Sequence, residues 1–298
     1  MKIPPHRVRR TAALLALASA IVTHAAGAGE TAALFDYDRT TPLDIRELGQ
    51  ETRDRAVVHD VTFIGVKDPI KAYLVTPAAG PGPFAGILYV HWLGDPRTTN
   101  RTEFLNEAVA LAGSGVVSLL VDTMWAKPNW YEDRVPEEDF AHSVRQVIEL
   151  RRAMDLLLSR PGVDPQRIAL VGHDYGAMHG IVMGGVDRRA KTYVLMAGTP
   201  HFIDWALYVR QPQDLASFRQ QLAAIDPVNF AAQVAPASVF FQFADHDKYV
   251  PPVAAAAFYA AAAPLKHMAT YAAGHDLHTP EIAADRVAWL MRALAPGR

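Results

Sequence analysis

Residues 167–180 read Arg167-Ile168-Ala169-Leu170-Val171-Gly172-His173-Asp174-Tyr175-Gly176-Ala177-Met178-His179-Gly180. The apolar run Ile168 to Val171 stops at a glycine. One acidic residue, Asp174, then stands midway between Gly172 and Gly176, and small and apolar residues resume through Ile181, Val182 and Met183. The pattern predicts a buried strand, a sharp turn and a helix. Glycines on both flanks let the backbone turn tightly without Cβ clashes. The residue at the tip then sits at a helix N-terminus, where backbone N–H groups and the helix dipole favour negative charge. An ordinary strand-to-helix turn with Asp174 as N-cap would carry the same pentapeptide, so these residues alone do not fix a function.

Outward from this stretch, strands and helices alternate. Val57 to Val66 and Ile70 to Thr76 are β-like around an Asp68-Pro69 turn. Gly86 to His91 and Val116 to Val121 are near-continuous apolar runs, as expected of central parallel strands covered on both faces. Phe104 to Ala112 has helical spacing, and Phe140 to Ser159 reads as a long amphipathic helix. Strands are expected at Thr192 to Met196, Ser238 to Phe243 and His267 to Tyr271. Helices are expected near Leu215 to Ala223, Val253 to Ala263 and Ile282 to Leu294. Residues 29–55 are polar and aperiodic and are expected to wrap the surface. The alternation predicts one α/β domain with a mostly parallel sheet and helices on both faces.

The N-terminus differs in character. Lys2, Arg7, Arg9 and Arg10 precede an apolar run from Ala12 to Val22, and Ala26-Gly27-Ala28 follows as a small-residue cleavage pattern. This predicts a signal peptide over residues 1–28, a domain over residues 29–298, and export to the periplasm or beyond. Arg9-Arg10 leaves a twin-arginine route open beside the general one. The apolar run is short for a retained membrane anchor. Removing four basic and no acidic residues takes the formal charge from −2 to −6. That balance offers no nucleic-acid surface. The chain has no cysteine. A cysteine nucleophile, thiolate metal sites and disulfides are therefore excluded, and stability rests on the core.

In an open parallel sheet, functional groups gather at the carboxyl ends of strands. Four such ends carry candidates: Asp174; Asp245-His246-Asp247; Gly274-His275-Asp276-Leu277-His278; and His91-Trp92-Leu93-Gly94. The chain order is nucleophile, acid, histidine, and Gly172 to Gly176 fits the G-x-S-x-G nucleophile elbow with aspartate in place of serine. With "VDPQRIALVGHDYG", "FFQFADHDKYVPP" and "YAAGHDLH" in that order, the sequence resembles the α/β-hydrolase superfamily over nearly all of the mature chain, and within it the dienelactone hydrolase-like branch. The elbow departs from that branch. Gly-His-Asp-aromatic-Gly instead resembles epoxide hydrolases and haloalkane or fluoroacetate dehalogenases, whose aspartate is the nucleophile.

The resemblance implies an α/β-hydrolase fold and a triad of Asp174, Asp247 and His275. His278 is the rival base, and Asp245 and Asp122 are rival acids. The N–H groups of Trp92 and Tyr175 are the expected oxyanion hole. A carboxylate is a competent nucleophile at a tetrahedral carbon bearing a leaving group, and the resulting aspartyl ester can be hydrolysed by water that His275 deprotonates. Attack on a substrate ester would give an anhydride, which is uphill. The expected activity is therefore hydrolysis of small organic substrates such as halogenated compounds or epoxides. The alternatives are an ester or lactone hydrolase with Asp174 as general base, and a binding homologue that has lost catalysis. Trp125, Trp130, Trp205 and Tyr208 are expected to line an apolar pocket, with a leaving halide at an indole N–H as a further use. His91 and His173 read as structural. His246 among its aspartates allows a metal, but the triad explains the cluster better, and the chemistry calls for no metal or cofactor. No nucleic acid or lasting membrane insertion is expected, and the sequence leaves oligomeric state open. About 40 residues separate Met196 from Ser238, room for at most a small lid rather than a large helical cap.

Overall fold

The computed structural model describes residues 31–208 and 210–295. The expected signal peptide and its cleavage site lie outside the described residues. The chain divides into two compact units. The first, Met1–Asp36, contains a short helical turn from Thr31 to Ala33. The second, Tyr37–Arg298, carries the sheet and every candidate catalytic residue.

Nine strands form one sheet in the order β1-β2-β3-β5-β4-β6-β7-β8-β9. They are β1 (Arg46–Arg53), β2 (Ala56–Ile64), β3 (Pro69–Pro77), β4 (Phe84–Val90), β5 (Val116–Val121), β6 (Val163–His173), β7 (Thr192–Met196), β8 (Ser238–Ala244) and β9 (Lys266–Tyr271). β4 to β9 run parallel, while the β1, β2 and β3 pairings, including β3 with β5, are antiparallel. Side chains alternate between faces along a strand, so a strand buried at every position is covered on both sides. β5 and β7 meet that condition throughout, and β4 and β8 at all but their first residue. The covering helices longer than one turn are α1 (Leu105–Ala112), α2 (Asp139–Leu158), α3 (Tyr175–Val186), α4 (Leu215–Ile225), α5 (Pro252–Ala261) and α6 (Pro280–Leu294).

One expectation fails. Residues 29–55 are not a plain surface wrap, because Arg46–Arg53 form β1. This edge strand, RELGQETR, is exposed at all eight positions. With neither face buried it has no alternation to betray it. Backbone pairing with β2 holds it, helped by exposed side-chain contacts such as Glu47 with His59.

The strand order reverses at β4, between β5 and β6, and a crevice opens there at the carboxyl ends. Leu93 follows β4, Asp174 follows β6, Asp247 follows β8 and His275 follows β9, so the topology delivers all four to one edge of the sheet. The fit is close. A Cβ on Gly176 would sit 2.2 Å from the Val90 carbonyl oxygen, and one on Gly172 would sit 2.4 Å from the Gly176 oxygen. These are backbone obstacles that no rotamer change relieves. Gly176→Ala must push α3 away from β4, and we expect urea denaturation to show a loss on the order of 3 kcal/mol. A loss below about 0.5 kcal/mol, the usual range of a surface substitution, would mean this approach is not as tight as described.

Candidate active site

Asp174 has φ 53° and ψ −115°, a backbone state that non-glycine residues rarely hold. The expected elbow is therefore present as strand, strained residue and helix. Asp174 is fully buried. Its Oδ2 accepts the Leu93 backbone N–H at 3.1 Å, and the Tyr175 N–H also favours its charged form. Its Oδ1 is buried with no hydrogen-bond partner. Burial raises the carboxyl to about 7, and the charge of His275 and the two N–H donors only partly oppose this.

His275 Nδ1 lies 2.8 Å from Asp247 Oδ2, and both side chains are buried. Asp247 Oδ1 accepts the Tyr249 and Val250 N–H groups at 2.8 and 3.1 Å. Burial pushes Asp247 up, but its bond to His275 and these donors hold it below the usual carboxylate range. A carboxylate facing Nδ1 places the imidazole hydrogen there and leaves Nε2 as an acceptor. That Nε2 is buried and has no partner. No hydrogen bond joins it to Asp174.

The rival groups are engaged elsewhere or exposed. His278 pairs loosely with Asp276 at 3.8 Å in solvent, and Asp245 sits beside His246 at 3.2 Å, also exposed. Asp122 accepts the Arg101 N–H at 2.9 Å. Among the described residues, no group of three His, Asp or Glu side chains converges as a metal site would require.

The Trp92 assignment needs correction. Its N–H donates to Glu103 Oε2 at 2.9 Å and is not free for an oxyanion. The next residue, Leu93, provides the N–H that faces Asp174. Glu103 is the residue that sequence reasoning missed. Its other oxygen lies 2.7 Å from His173 Nδ1, and His173 Nε2 lies 2.9 Å from the His275 carbonyl oxygen. The Trp92 ring stacks on His173, with centroids 5.3 Å apart and planes at 14°. His91 is structural, as expected: its Nδ1 donates to the Trp92 carbonyl at 2.9 Å, and its Nε2 meets Thr123 Oγ1 at 3.0 Å.

A cavity of about 860 Å³ opens above this group. Trp92, Trp125, Trp130, Trp205, Tyr208 and Tyr249 line it, with His275 at its floor. The four expected pocket residues are all among them. Asp174 borders no part of the cavity, whereas the adjoining Leu93 and His275 do. The Trp125 indole N–H is spent on the His91 carbonyl at 3.3 Å. The Trp205 N–H is buried without a partner, and its ring lies 5.5 Å from that of His275. Tyr175 packs between Trp125 and Trp205, at 5.4 and 5.9 Å, rather than facing the cavity. Trp205 belongs to the turn Ile203–Ala206, which stands at the cavity as a small lid. The Tyr131 hydroxyl and the Arg134 guanidinium donate to the Trp205 and Ala206 carbonyls and hold that turn down.

No family model matches the chain, and no curated protein matches it in sequence. Solved structures match it in shape. An acetyl xylan esterase from Paenibacillus sp. R4 superimposes with a TM-score of 0.72 at 20% identity, covering 90% of this chain and 93% of its own. Acetyl xylan esterase 1 from Thermoanaerobacterium sp. JW/SL YS485 gives 0.71 at 14% identity, covering 91% and 93%. A protein from Klebsiella pneumoniae subsp. pneumoniae MGH 78578, described as a dienelactone hydrolase, gives 0.59 at 14% identity, covering 81% and 99%. At such identities the likeness concerns architecture, and with the elbow, strand order and helices above it establishes that this chain has the α/β-hydrolase fold.

Proposed function

We propose that this protein is a hydrolase of small organic molecules that uses Asp174 as a covalent nucleophile. The observation that carries the reading is the unequal state of the two carboxylate oxygens. Oδ2 is held by the Leu93 N–H, whereas Oδ1 is buried and unpartnered. In such a reaction Oδ1 forms a bond to a tetrahedral substrate carbon, and the carbon–leaving-group bond breaks with the pair going to the leaving group. Water then adds to the Asp174 carboxyl carbon and gives a proton to His275 Nε2. The developing oxyanion is Oδ2, which already accepts the Leu93 N–H. Collapse breaks the bond between the carboxyl carbon and Oδ1 and releases an alcohol, which takes the proton from His275, and the Asp174 carboxyl gives its remaining proton to solvent to return the carboxylate. The unspent Trp205 indole N–H is a donor suited to a leaving anion, which favours halogenated substrates over epoxides. Aromatic walls suit an apolar substrate.

A second reading stands beside it because a carboxyl near 7 is also poised as a general base. Asp174 would then activate water against an ester, as the names of the esterases of similar fold suggest, or against a lactone, as that of the dienelactone hydrolase does. We also propose export after cleavage behind Ala28. Mass spectrometry of the exported protein should give a start near Gly29, and a mature chain retaining Met1 would refute export.

Two experiments test the mechanism. In a single turnover in H₂¹⁸O with enzyme in excess, the label should enter the peptide containing Asp174 rather than the product. His275→Gln should still alkylate and then accumulate an adduct on Asp174, visible as added mass. If wild type puts ¹⁸O directly into product and Asp174→Ser gains esterase activity, the covalent reading is wrong.

The second experiment is pH dependence. Attack needs the ionised carboxylate, so the alkylation rate should rise with pH through about 7 and then level off. Stability runs the other way. The folded state keeps the Asp174 proton up to about 7, while the unfolded chain releases it near 3.8, so stability falls as pH rises between these values. Asp174→Asn removes that cost, and its stability relative to wild type should improve by about 3 kcal/mol between pH 5 and pH 8. An unchanged difference across that range would place the Asp174 carboxyl near its ordinary value.

A further inference from the structure

Glu103 bonds both to the loop after β4 and to the end of β6, the two segments that meet at Asp174. One oxygen takes the Trp92 N–H at 2.9 Å, and the next N–H along the chain, that of Leu93, faces Asp174 Oδ2. The other oxygen takes His173 Nδ1 at 2.7 Å, and the far side of that ring reaches the His275 carbonyl at 2.9 Å. Glu103 and His173 are almost completely removed from solvent, with side-chain exposures of 3% and 0%. A single side chain therefore joins the neighbour of the site's N–H donor to the ring that holds the backbone of its histidine. We propose that Glu103 is a positioning residue that fixes the Leu93 N–H through Trp92 and His275 through His173, in the arrangement that hydrolysis of an aspartyl ester would use. The proposal rests on the covalent reading above for its kinetic test, but its structural test does not.

The proton count follows from the partners. A carbonyl oxygen can only accept, so His173 Nε2 carries hydrogen. Glu103 is held as a carboxylate, because the charge and hydrogen bond of His173 and the Trp92 N–H outweigh the opposing effect of burial. Its oxygen also accepts, so Nδ1 carries hydrogen too. His173 is then an imidazolium under the stacked Trp92 ring, an arrangement in which the ring face attracts the cation. Charge-assisted bonds are shorter and stiffer than neutral ones. The chain from Leu93 to His275 thus has a rigid middle.

Its two ends serve the same half of the reaction. Alkylation needs Asp174 Oδ1 and a donor for the leaving group, neither of which touches Glu103. Hydrolysis needs the Leu93 N–H on Oδ2 and the Nε2 of His275, both of which Glu103 fixes through a neighbour. Damage to Glu103 should therefore fall on the second step.

The test uses the full chain. Glu103→Ala should slow decay of the Asp174 adduct on the order of 10²-fold, the usual loss for a displaced oxyanion donor, with alkylation changed less than about threefold. Turnover and KM should then fall together and the adduct should accumulate. Glu103→Gln can accept from Trp92 and donate to a neutral His173, so its loss should be smaller, roughly tenfold, since neutral bonds are about half as strong. If Glu103→Ala fails to fold, Glu103→Asp, one methylene too short to reach both loops, replaces it and should show the same selective loss. Equal loss in both steps, or adduct decay at the wild-type rate, overturns the proposal. Independently of any turnover, nitrogen NMR should find both His173 ring nitrogens protonated in wild type and one in Glu103→Gln. A wild-type His173 with a bare ring nitrogen also overturns it. Absence of any adduct in wild type, with His173 doubly protonated, would count against the covalent reading and not against this one.

Discussion

The carbonyl of Val90 and the α-carbon of Gly176 approach so closely that no side chain fits between them. Much of the site follows from this contact. It presses the start of α3 against the end of β4, so the chain leaving β4 must pass over Asp174 within three residues. That is how the Leu93 N–H comes to face Oδ2. Between the two tight glycines, Asp174 holds a positive-φ backbone state. Strain of this kind persists only where the surroundings over-determine it, and here the surroundings are backbone atoms.

The buried charges divide into two kinds. Glu107 and Arg286 pair at 2.6 Å between α1 and α6, Arg134 and Asp139 at 3.2 Å behind the lid, and Glu103 and His173 at 2.7 Å under the site. Buried pairs contribute little net stability, because desolvation offsets their attraction, but losing one partner is severe. They act as registration points between segments. Asp174 has no such partner in contact, and among the carboxylates of the site it alone is pushed upward, while Glu103 and Asp247 are held down. Burial thus disfavours the charge on that lone carboxylate, which the proposed ester formation would remove.

What was legible in the sequence lies next to apolar runs. Val116–Val121 and Thr192–Met196 are strands to the residue, because burial on both faces writes an unbroken apolar word. Asp174 and Asp247 each follow such a run within a few positions, and His275 follows the more exposed last strand β9, so their convergence could be inferred from topology. β1 could not be read, because nothing about it is buried. Nor could Glu103. An acidic residue just before α1 looks like a solvated helix start, and its partners are 11 and 70 positions away. The choice between Trp92 and Leu93 was beyond sequence as well, since the direction of a loop N–H is set by backbone dihedrals that no side chain there specifies.

The small lid is fastened in an unusual currency. Tyr131 and Arg134 grip the turn above His275 through the carbonyl oxygens of Trp205 and Ala206, and not through their side chains. A main-chain acceptor is the same whatever residue bears it. Positions 205 and 206 can therefore vary without unfastening the turn, so long as the backbone keeps its path. The fastener and the wall it supports are written in separate codes. An evolving lineage, or a laboratory library, could rewrite the chemistry presented to the cavity at Trp205 while the roof stays in place.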